Sequence, residues 1–550
     1  MLLLEAKNIK KYFGDRLILD IEGLNIYSED RIGIVGVNGA GKTTLINVLS
    51  KKLEPDEGWV KLYGNYSYIS QLDAPDGQTL SNEMASKFGV PRTWSMYMSG
   101  GEKTRFKLAI ALEEKSALIF ADEPTSNVDM EGIELMEKRF EEYNGALLII
   151  SHDRDFLDRL CNKILEIEHG KIKIYNGNYS DYAAQKKQEV ERAQFEYEAY
   201  IKEKKRLQEV ILETKQKVKS IKKAPRRMGN SEARLHRKMG NQKAKANLER
   251  AIKNIEKKIE HLEVKEKPKE QESIKLDLQD ANKIYSKILI EGRNIYKAFG
   301  DKMIFENAEF SIYNSSKIAL IGPNGCGKTT LIKMIMNKEA PVKVAQGAKI
   351  GYFSQDMSIL KDDLSIIENI MESSIYPENF VRTLLARLLF KREDVYKKVN
   401  VLSGGERVKV SFAKILLQDI NLLILDEPTN YMDINSLEVV ENALKDYDRT
   451  LLFVSHDRRF VESVANHIMT IENYKIKTFK GTYKEYLASK DTAKRSNEKE
   501  EIQKQILILQ NRLSEVIGKL SMPSPKDDVE ALDREYYEIL GQIKELKNML

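Results

Sequence analysis

Two stretches of the chain show short aliphatic runs that alternate with longer segments of helical periodicity. Ile32–Val35 is one such run; it precedes a glycine-rich segment and a helix that begins near Thr43, and Leu118–Phe120 and Leu147–Ile150 are further runs. Short uninterrupted apolar runs are typical of strands that are buried on both faces, and their alternation with helices is typical of parallel sheets. The pattern therefore predicts an α/β fold.

These two stretches are copies of one another. The segment LLLEAKNIKKYFGDRLIL from Leu2 matches ILIEGRNIYKAFGDKMIF from Ile288 at an offset of 286 residues. MSGGEKTRFKLAIAL from Met98 matches LSGGERVKVSFAKIL from Leu402 at an offset of 304, which also relates ADEPTSNVD to LDEPTNYMD. A period of this size indicates a duplicated domain rather than a short structural repeat. We predict one domain over residues 1–182 and its copy over 286–490.

Residues 183–285 match neither copy and carry two heptad seams. One seam runs from Val190 to Ile221 and the other from Leu248 to Leu262, with Pro225 and Gly229 between them. Because apolar heptads favour packed helices and Pro and Gly interrupt them, we predict an antiparallel helical hairpin as an interdomain linker. A first helix of some 32 residues would reach roughly 48 Å at 1.5 Å per residue.

A weaker helical pattern closes the chain. It covers residues 494–520 and 527–550 and is interrupted at Met522–Pro525. We predict a C-terminal helical extension over 491–550, so the expected fold is α/β with two tandem copies of one domain, a helical hairpin linker and this extension.

Charge is distributed unevenly along the chain. The net charge is +5, but Lys215–Lys245 holds 12 Lys or Arg and one acid, a net of +11, which leaves 5 − 11 = −6 for the rest. Such a run is most often a solvated surface in an arbitrary helix, although it also suits contact with a nucleic-acid backbone.

Neither a membrane span nor a cysteine-based centre is predicted. No apolar run approaches the length that crosses a bilayer, and the N-terminal residues include no basic leader or cleavage site. Cys161 and Cys326 are too few for a disulfide framework, a zinc site or an iron–sulfur cluster. We expect a cytoplasmic protein.

Each copy contains a phosphate-binding loop between a predicted strand and a predicted helix. Gly36–Thr43 and Gly322–Thr329 both fit the pattern in which backbone N–H groups surround phosphates, a lysine reaches the β and γ phosphates, and a Thr hydroxyl binds Mg²⁺. A chance glycine-rich turn would not recur twice in this context. The candidate contacts are Gly36, Asn38, Gly39, Gly41, Lys42, Thr43, Thr44, Gly322, Asn324, Gly325, Gly327, Lys328, Thr329 and Thr330.

Two consecutive acids end a later strand in each copy. Asp122 and Asp426 are placed to hold Mg²⁺, while the following Glu123 and Glu427 can polarise an attacking water. A solvent-facing acid pair is the alternative, but the Pro-Thr that follows both pairs favours the catalytic interpretation.

Three more residue types recur and have open interpretations. The histidines follow a buried strand as part of Ser-His-Asp-Arg, and contact with the γ-phosphate is favoured over a structural role. The glutamines end Tyr-X-Ser-Gln runs, and they are either ligands of Mg²⁺ or of water, or surface residues. The phenylalanines either stack on adenine or belong to the core. These residues are His152 and His456, Gln71 and Gln355, and Phe13 and Phe299.

The combination of phosphate loop, Gln, Ser-Gly-Gly-Glu, Asp-Glu-Pro-Thr and Ser-His-Asp resembles the ATP-binding cassette family. In that family two cassettes face head to tail, and each ATP lies between the phosphate loop of one and the signature of the other. The resemblance implies an ATPase that uses ATP and Mg²⁺ and hydrolyses ATP at both sites. It implies that Ser99, Gly100 and Gly101 complete the site of Lys328, and that Ser403, Gly404 and Gly405 complete the site of Lys42.

The order cassette, helical linker, cassette and C-terminal helices resembles the ABC-F branch. Three other branches of the family fit less well. A transporter ATPase would not need the basic hairpin, and the ribosome-recycling branch carries an iron–sulfur domain, for which two cysteines are too few. Chromosome proteins split each cassette into two halves, whereas both copies here are complete. The resemblance implies binding to the 70S ribosome, through ribosomal RNA and P-site tRNA, and no transporter subunit. The implied linker contacts are Lys222, Lys223, Arg226, Arg227, Met228, Arg234, Arg237 and Lys238.

The first cassette lacks the inserted arm of many housekeeping ABC-F factors. Only the 26 residues Leu72–Tyr97 separate its Gln from its signature, against 46 in the second cassette. This resembles the resistance branch, which protects ribosomes from antibiotics of the peptidyl transferase centre. The alternatives are a housekeeping factor that relieves stalled ribosomes and a DNA-associated ATPase.

Overall fold

The structure is a computed structural model in which the chain forms two compact units. It describes residues 1–70, 75, 79–126, 128–221, 231–265, 286–354, 359–388, 390, 393–429, 432–521 and 529–548. The first unit comprises Met1–Pro75, Ala111–Pro124 and Arg139–Lys275, and the second comprises Asp76–Ile110, Thr125–Lys138 and Leu276–Leu550. The domain boundaries at 182, 285 and 490 stay predictions.

Nine strands of the first unit form two sheets. In chain order they are β1 (Leu2–Phe13), β2 (Arg16–Tyr27), β3 (Arg31–Val35), β4 (Glu57–Leu62), β5 (Tyr66–Ile69), β6 (Leu118–Asp122), β7 (Ala146–Ile150), β8 (Lys163–Glu168) and β9 (Lys171–Asn176). An antiparallel sheet has the order β2-β1-β4, and a six-stranded sheet has the order β5-β6-β7-β3-β8-β9. In the larger sheet only the β8–β9 pair is antiparallel.

The second unit contains the same two sheets in the second copy. Its strands are β10 (Ile288–Phe299), β11 (Lys302–Tyr313), β12 (Lys317–Ile321), β13 (Val342–Val344), β14 (Ile350–Phe353), β15 (Leu422–Asp426), β16 (Thr450–Val454), β17 (His467–Glu472) and β18 (Lys475–Lys480). They pair in the orders β11-β10-β13 and β14-β15-β16-β12-β17-β18. Strand β6 and its copy β15 are buried at every position, as expected of strands covered on both faces.

The helices of the two copies follow the strands that the sequence pattern predicts. Those up to the linker are α1 (Lys42–Leu49), α2 (Asn82–Phe88), α3 (Gly100–Glu113), α4 (Met130–Glu142) and α5 (Arg154–Leu160). Those of the second copy are α8 (Lys328–Met336), α9 (Ile366–Met371), α10 (Glu378–Arg387), α11 (Gly404–Leu416), α12 (Ile434–Asp446) and α13 (Arg458–Val464), with two short 3-10 helices at Asp394–Tyr396 and Val399–Val401.

The linker contains two long helices, α6 (Tyr179–Ser220) and α7 (Ser231–Glu260). Ion pairs join Lys215 to Glu256 and Glu196 to Lys265, so earlier residues of α6 lie opposite later residues of the returning chain, as in an antiparallel hairpin. Helix α6 has 42 residues rather than the 32 predicted, because it begins at Tyr179, and it extends roughly 63 Å.

Two further helices close the chain, α14 (Tyr483–Ser521) and α15 (Val529–Asn548). They pack through a small apolar cluster that includes Ile506, Val516, Ile539 and Ile543. Within the described part of the chain, no helix is both long and apolar enough to cross a bilayer.

Candidate nucleotide sites

The motif residues of the first unit converge because three neighbouring parallel strands end at one edge. The phosphate loop follows β3, Asp122 ends β6 and His152 follows β7, and these strands are adjacent in the order β6-β7-β3. Ligands of open α/β sheets bind at the carboxyl ends of such strands. Strands β15, β16 and β12 repeat this arrangement in the second unit.

Both phosphate loops fold around a buried lysine. Lys42 Nζ donates to the carbonyl oxygen of Gly36 at 2.8 Å, and Lys328 Nζ donates to that of Gly322 at 2.7 Å. Gly41 precedes helix α1 with φ of 101°, and a Cβ there would lie 2.8 Å from Ile18 Cγ2. Only glycine fits this position, and helix α1 begins directly after it, so the free amides of its N-terminus lie beside the loop.

Oxygen donors suited to Mg²⁺ lie beside each loop. Thr329 Oγ1 donates to Asp426 Oδ2 at 3.3 Å, and Thr43 donates to Asp122 in the same way. Burial raises the pKa of both aspartates, and these threonine hydroxyls partly oppose it. The hydroxyl and carboxylate oxygens fit a hard cation. Among the described residues no group of three or more His, Cys, Asp or Glu could hold a metal, and the other predicted ligands, Gln71 and Gln355, lie outside the described residues.

Each glutamate that follows the aspartate is buried against a histidine. Glu123 Oε1 lies 3.2 Å from His152 Nε2, and Glu427 Oε1 lies 3.2 Å from His456 Nε2. Burial raises the pKa of Glu123 to about 8 and that of Glu427 to about 7. Burial, together with the charge of Lys328, lowers the pKa of His456 to about 4. The imidazole is therefore uncharged at neutral pH, and it meets Glu427 as a close contact rather than as an ion pair.

The signature residues form the N-termini of helices α3 and α11. Ser403 caps α11 through a hydrogen bond from the Glu406 amide, while Glu406 accepts from the Ser403 amide and hydroxyl. Ser99 and Glu102 make the same reciprocal bonds at α3. The glycine amides that follow each serine are thereby left at a helix N-terminus, which favours anions.

Asp129 contacts the second phosphate loop, and the motifs did not single it out as a site residue. Its Oδ2 accepts from the backbone amide of Asn324, in the second phosphate loop, at 2.9 Å, and its Oδ1 accepts from the Gly132 amide. Burial opposes ionisation of Asp129, but these two bonds outweigh it and lower its pKa. The repeat of Asp at this position in ADEPTSNVD and LDEPTNYMD was the available signal.

The structure gives less information on the remaining predicted site residues. Phe13 and Phe299 are 54% and 57% exposed, so neither belongs to the core, and stacking on adenine stays a prediction. Residues Gln71, Gln355, Lys222, Lys223, Arg226, Arg227 and Met228 lie outside the described residues. Arg234, Arg237 and Lys238 fall within α7.

Comparison with known proteins places this architecture in a family. The chain is 31% identical to the ribosome protection protein VmlR of Bacillus subtilis, over 98% of this chain and 97% of that protein. It is 34% identical to the erythromycin resistance ATP-binding protein MsrA of Staphylococcus epidermidis, over 82% of this chain and 93% of that protein. The chain belongs to the ABC-F family. The predicted ATPase is thereby confirmed.

Profile matches also show the cassette domains, and a solved structure shows the same fold. A family profile described as ABC transporter matches residues 19–86 and 305–430, and a second profile with that description matches 165–239. An archaeal ribosome recycling factor, aABCE1, has a TM-score of 0.58 and 20% identity over 88% of this chain and 92% of its own. This likeness confirms the predicted fold of paired cassette sheets.

Proposed function

We propose that this ABC-F ATPase binds the ribosome and protects it from antibiotics of the peptidyl transferase centre. The observation that carries the proposal is the 31% identity to a ribosome protection protein over nearly the full length of both chains. The second relative, with 34% identity, is an erythromycin resistance protein. The match covers 98% of this chain, and therefore most of the linker and the C-terminal helices, which supports a shared target.

ATP is the proposed switch for ribosome binding. Mg²⁺, bound with Thr43 and Asp122 or with Thr329 and Asp426, would neutralise phosphate charge during hydrolysis. Glu123 and Glu427 orient and deprotonate the attacking water, and the histidine beside each of them contacts the γ-phosphate. The signature amides bind the γ-phosphate from the other cassette, so ATP holds the cassettes together and its hydrolysis releases them.

The helical hairpin is the proposed ribosome-contacting element. Helix α6 extends roughly 63 Å, and the net charge of +11 over Lys215–Lys245 surrounds the connection between its two helices. A nucleotide site has no use for such a projection, whereas Lys and Arg neutralise RNA phosphates and release counterions. We place the tip of the hairpin near P-site tRNA and the protein in the cytoplasm.

Drug susceptibility with matched variants tests the function. Expression in a susceptible host should raise the inhibitory concentrations of lincosamides, pleuromutilins or streptogramin A compounds but not those of decoding-site drugs. A variant with Lys42→Ala and Lys328→Ala should give no protection, since it cannot hold ATP. Co-sedimentation of the wild-type chain with 70S ribosomes, but no rise for any of the three drug classes, would support the housekeeping function instead.

A further inference from the structure

A buried ion pair in the second unit joins helix α4 of the first copy to helix α13 of the second. Arg458 Nη2 donates to Glu137 Oε1 at 3.0 Å, and Arg458 Nη1 donates to Glu137 Oε2 at 3.3 Å. The Glu137 side chain is 0% exposed and that of Arg458 is 16% exposed. Two parallel bonds between a planar guanidinium and a carboxylate fix the orientation of both groups.

Arg458 belongs to the turn that carries His456, which we call the histidine turn. Arg458 is the first residue of α13, and Asp457, just before it, caps that helix by accepting from the Phe460 amide at 2.9 Å. The Asp457 amide donates to Ser455 Oγ, so residues 455–458 form one hydrogen-bonded turn. His456 lies within this turn, and its Nε2 is 3.2 Å from Glu427. A displacement of the guanidinium would therefore displace the imidazole.

Glu137 belongs to residues 129–137, a segment that also contacts the second phosphate loop. Asp129 lies eight residues before Glu137, and it accepts from the Asn324 amide at 2.9 Å. Residues 129–137 thus bond to two parts of the second site, the phosphate loop and the histidine turn. The offset of 304 places Arg154 and Glu441 at the corresponding positions, and both are 6% exposed, so the two residue types recur as buried charges.

We propose that Arg458 and Glu137 are positioning residues for ATP hydrolysis at the second site. The pair holds the histidine turn so that His456 stays beside Glu427, and it makes that placement depend on helix α4 of the first cassette. Hydrolysis at this site then responds to the engagement of the first cassette through a bond that does not touch the nucleotide. The inference rests on Glu427 and His456 being hydrolytic groups.

Steady-state ATPase kinetics in a Glu123→Gln background test the proposal, because hydrolysis then reports the second site. Arg458→Gln should lower kcat at least tenfold and change KM less than twofold. Arg458→Lys, which keeps the charge but loses the fork, should give an intermediate kcat. The reversed pair Glu137→Arg with Arg458→Glu should recover much of the loss. Arg382→Gln is the control, because it removes a surface pair with Glu378 in the same unit.

A variant without buried charge separates positioning from folding. Replacing Glu137 by Leu and Arg458 by Met removes both charges at similar volume, a change that folded proteins tolerate. This variant should keep its melting temperature within a few degrees and still lose kcat. A kcat equal to that of the Glu123→Gln parent, in this variant or in Arg458→Gln, would overturn the proposal. An equal loss of kcat in the control Arg382→Gln would overturn it as well. Persistent hydrolysis after adding Glu427→Gln would instead overturn the site assignment.

Discussion

At the scale of single residues, the backbone separates the environments of the two consecutive acids. Glu123 and Glu427 have φ of 50° and 51°, in the left-handed region, and their amides donate to the carbonyls of Ile150 and Val454. Non-glycine residues in this region are strained by about 1–3 kcal/mol, and such strain is concentrated at functional sites. The turn leaves each aspartate beside a threonine and aims each glutamate at a histidine, so the pair can divide metal binding from proton transfer.

Replacing both glutamates should therefore stop hydrolysis and preserve ATP binding. Glutamine has the same shape as glutamate but cannot accept the proton of the attacking water, so we expect Glu123→Gln with Glu427→Gln to slow phosphate release by about 10²-fold or more. ATP should bind with near wild-type affinity, and the protein should remain on 70S ribosomes. Glu57→Gln, on the exposed strand β4, is the control. Wild-type turnover in the double variant would show that neither glutamate is the base.

At the scale of elements, one carboxylate anchors the root of the hairpin. Glu166 on β8 accepts from Tyr175 at 3.2 Å, from Tyr182 at 2.8 Å and from Lys186 at 2.8 Å. Tyr182 and Lys186 lie on the first turns of α6, and Glu166 is 12% exposed. Burial and the charge of Glu166 raise the pKa of the Tyr182 phenol, which keeps it a donor. The network ties the direction of α6 to the sheet that carries the first phosphate loop.

Loss of this charge should loosen the root of α6. Glu166→Gln leaves Lys186 and two phenols without their shared anion, and bonds to charged groups contribute about 1.5–3 kcal/mol each. We expect amide hydrogen exchange over residues 179–189 to quicken about tenfold or more, as local opening becomes easier. Glu168→Gln is the matched control, because Glu168 is 54% exposed and meets the same Lys186 only at 3.5 Å. Equal exchange in both variants would argue against an anchoring function.

The sequence predicts the helices of this hairpin better than their attachment. Heptad spacing identifies the seam from Val190, but the true start at Tyr179 depends on a capping box in which Asn178 and Asp181 bond reciprocally, a local signal that could have been used. The Glu166 network has no such signal, since it joins side chains of two strands and a helix. Motif spacing likewise indicates Lys42 and Glu123, whereas the Asp129–Asn324 bond joins residues 195 positions apart.

The charge at the hairpin tip should control ribosome affinity. Replacing Lys222, Lys223, Arg226 and Arg227 by Gln removes four candidate phosphate contacts. Each lost contact reduces counterion release, so the slope of log affinity against log salt should flatten by about 3. Binding to 70S ribosomes over a range of KCl concentrations measures this. Control variants replace exposed lysines of β18 and early α14, namely Lys475, Lys477, Lys480 and Lys484. An unchanged slope in the tip variant would indicate a solvated surface.

At the scale of the whole molecule, duplication in sequence does not produce two consecutive units in space. Residues 76–110 and 125–138, which carry most of the signature helix α3 and most of α4 of the first copy, cluster with the second copy. Local patterns cannot predict this grouping, because it depends on long-range bonds such as those of Asp129 and Glu137. A signature of one copy thus shares a unit with the phosphate loop of the other, as the proposed ATP-dependent closure requires.

The hairpin tip should be needed for resistance and not for hydrolysis. Residues 224–232 contain none of the nucleotide motifs and connect the two linker helices, so their deletion should leave ribosome-free ATPase activity within about twofold of wild type. Resistance should disappear, because the tip alone would reach the peptidyl transferase centre. Its Met228, Pro225 and Gly229 suit close shape contacts that charge alone does not require. Inhibitory concentrations in a susceptible strain decide this: full protection by a deletion variant that is expressed and ribosome-bound would place the protective contacts elsewhere in the chain.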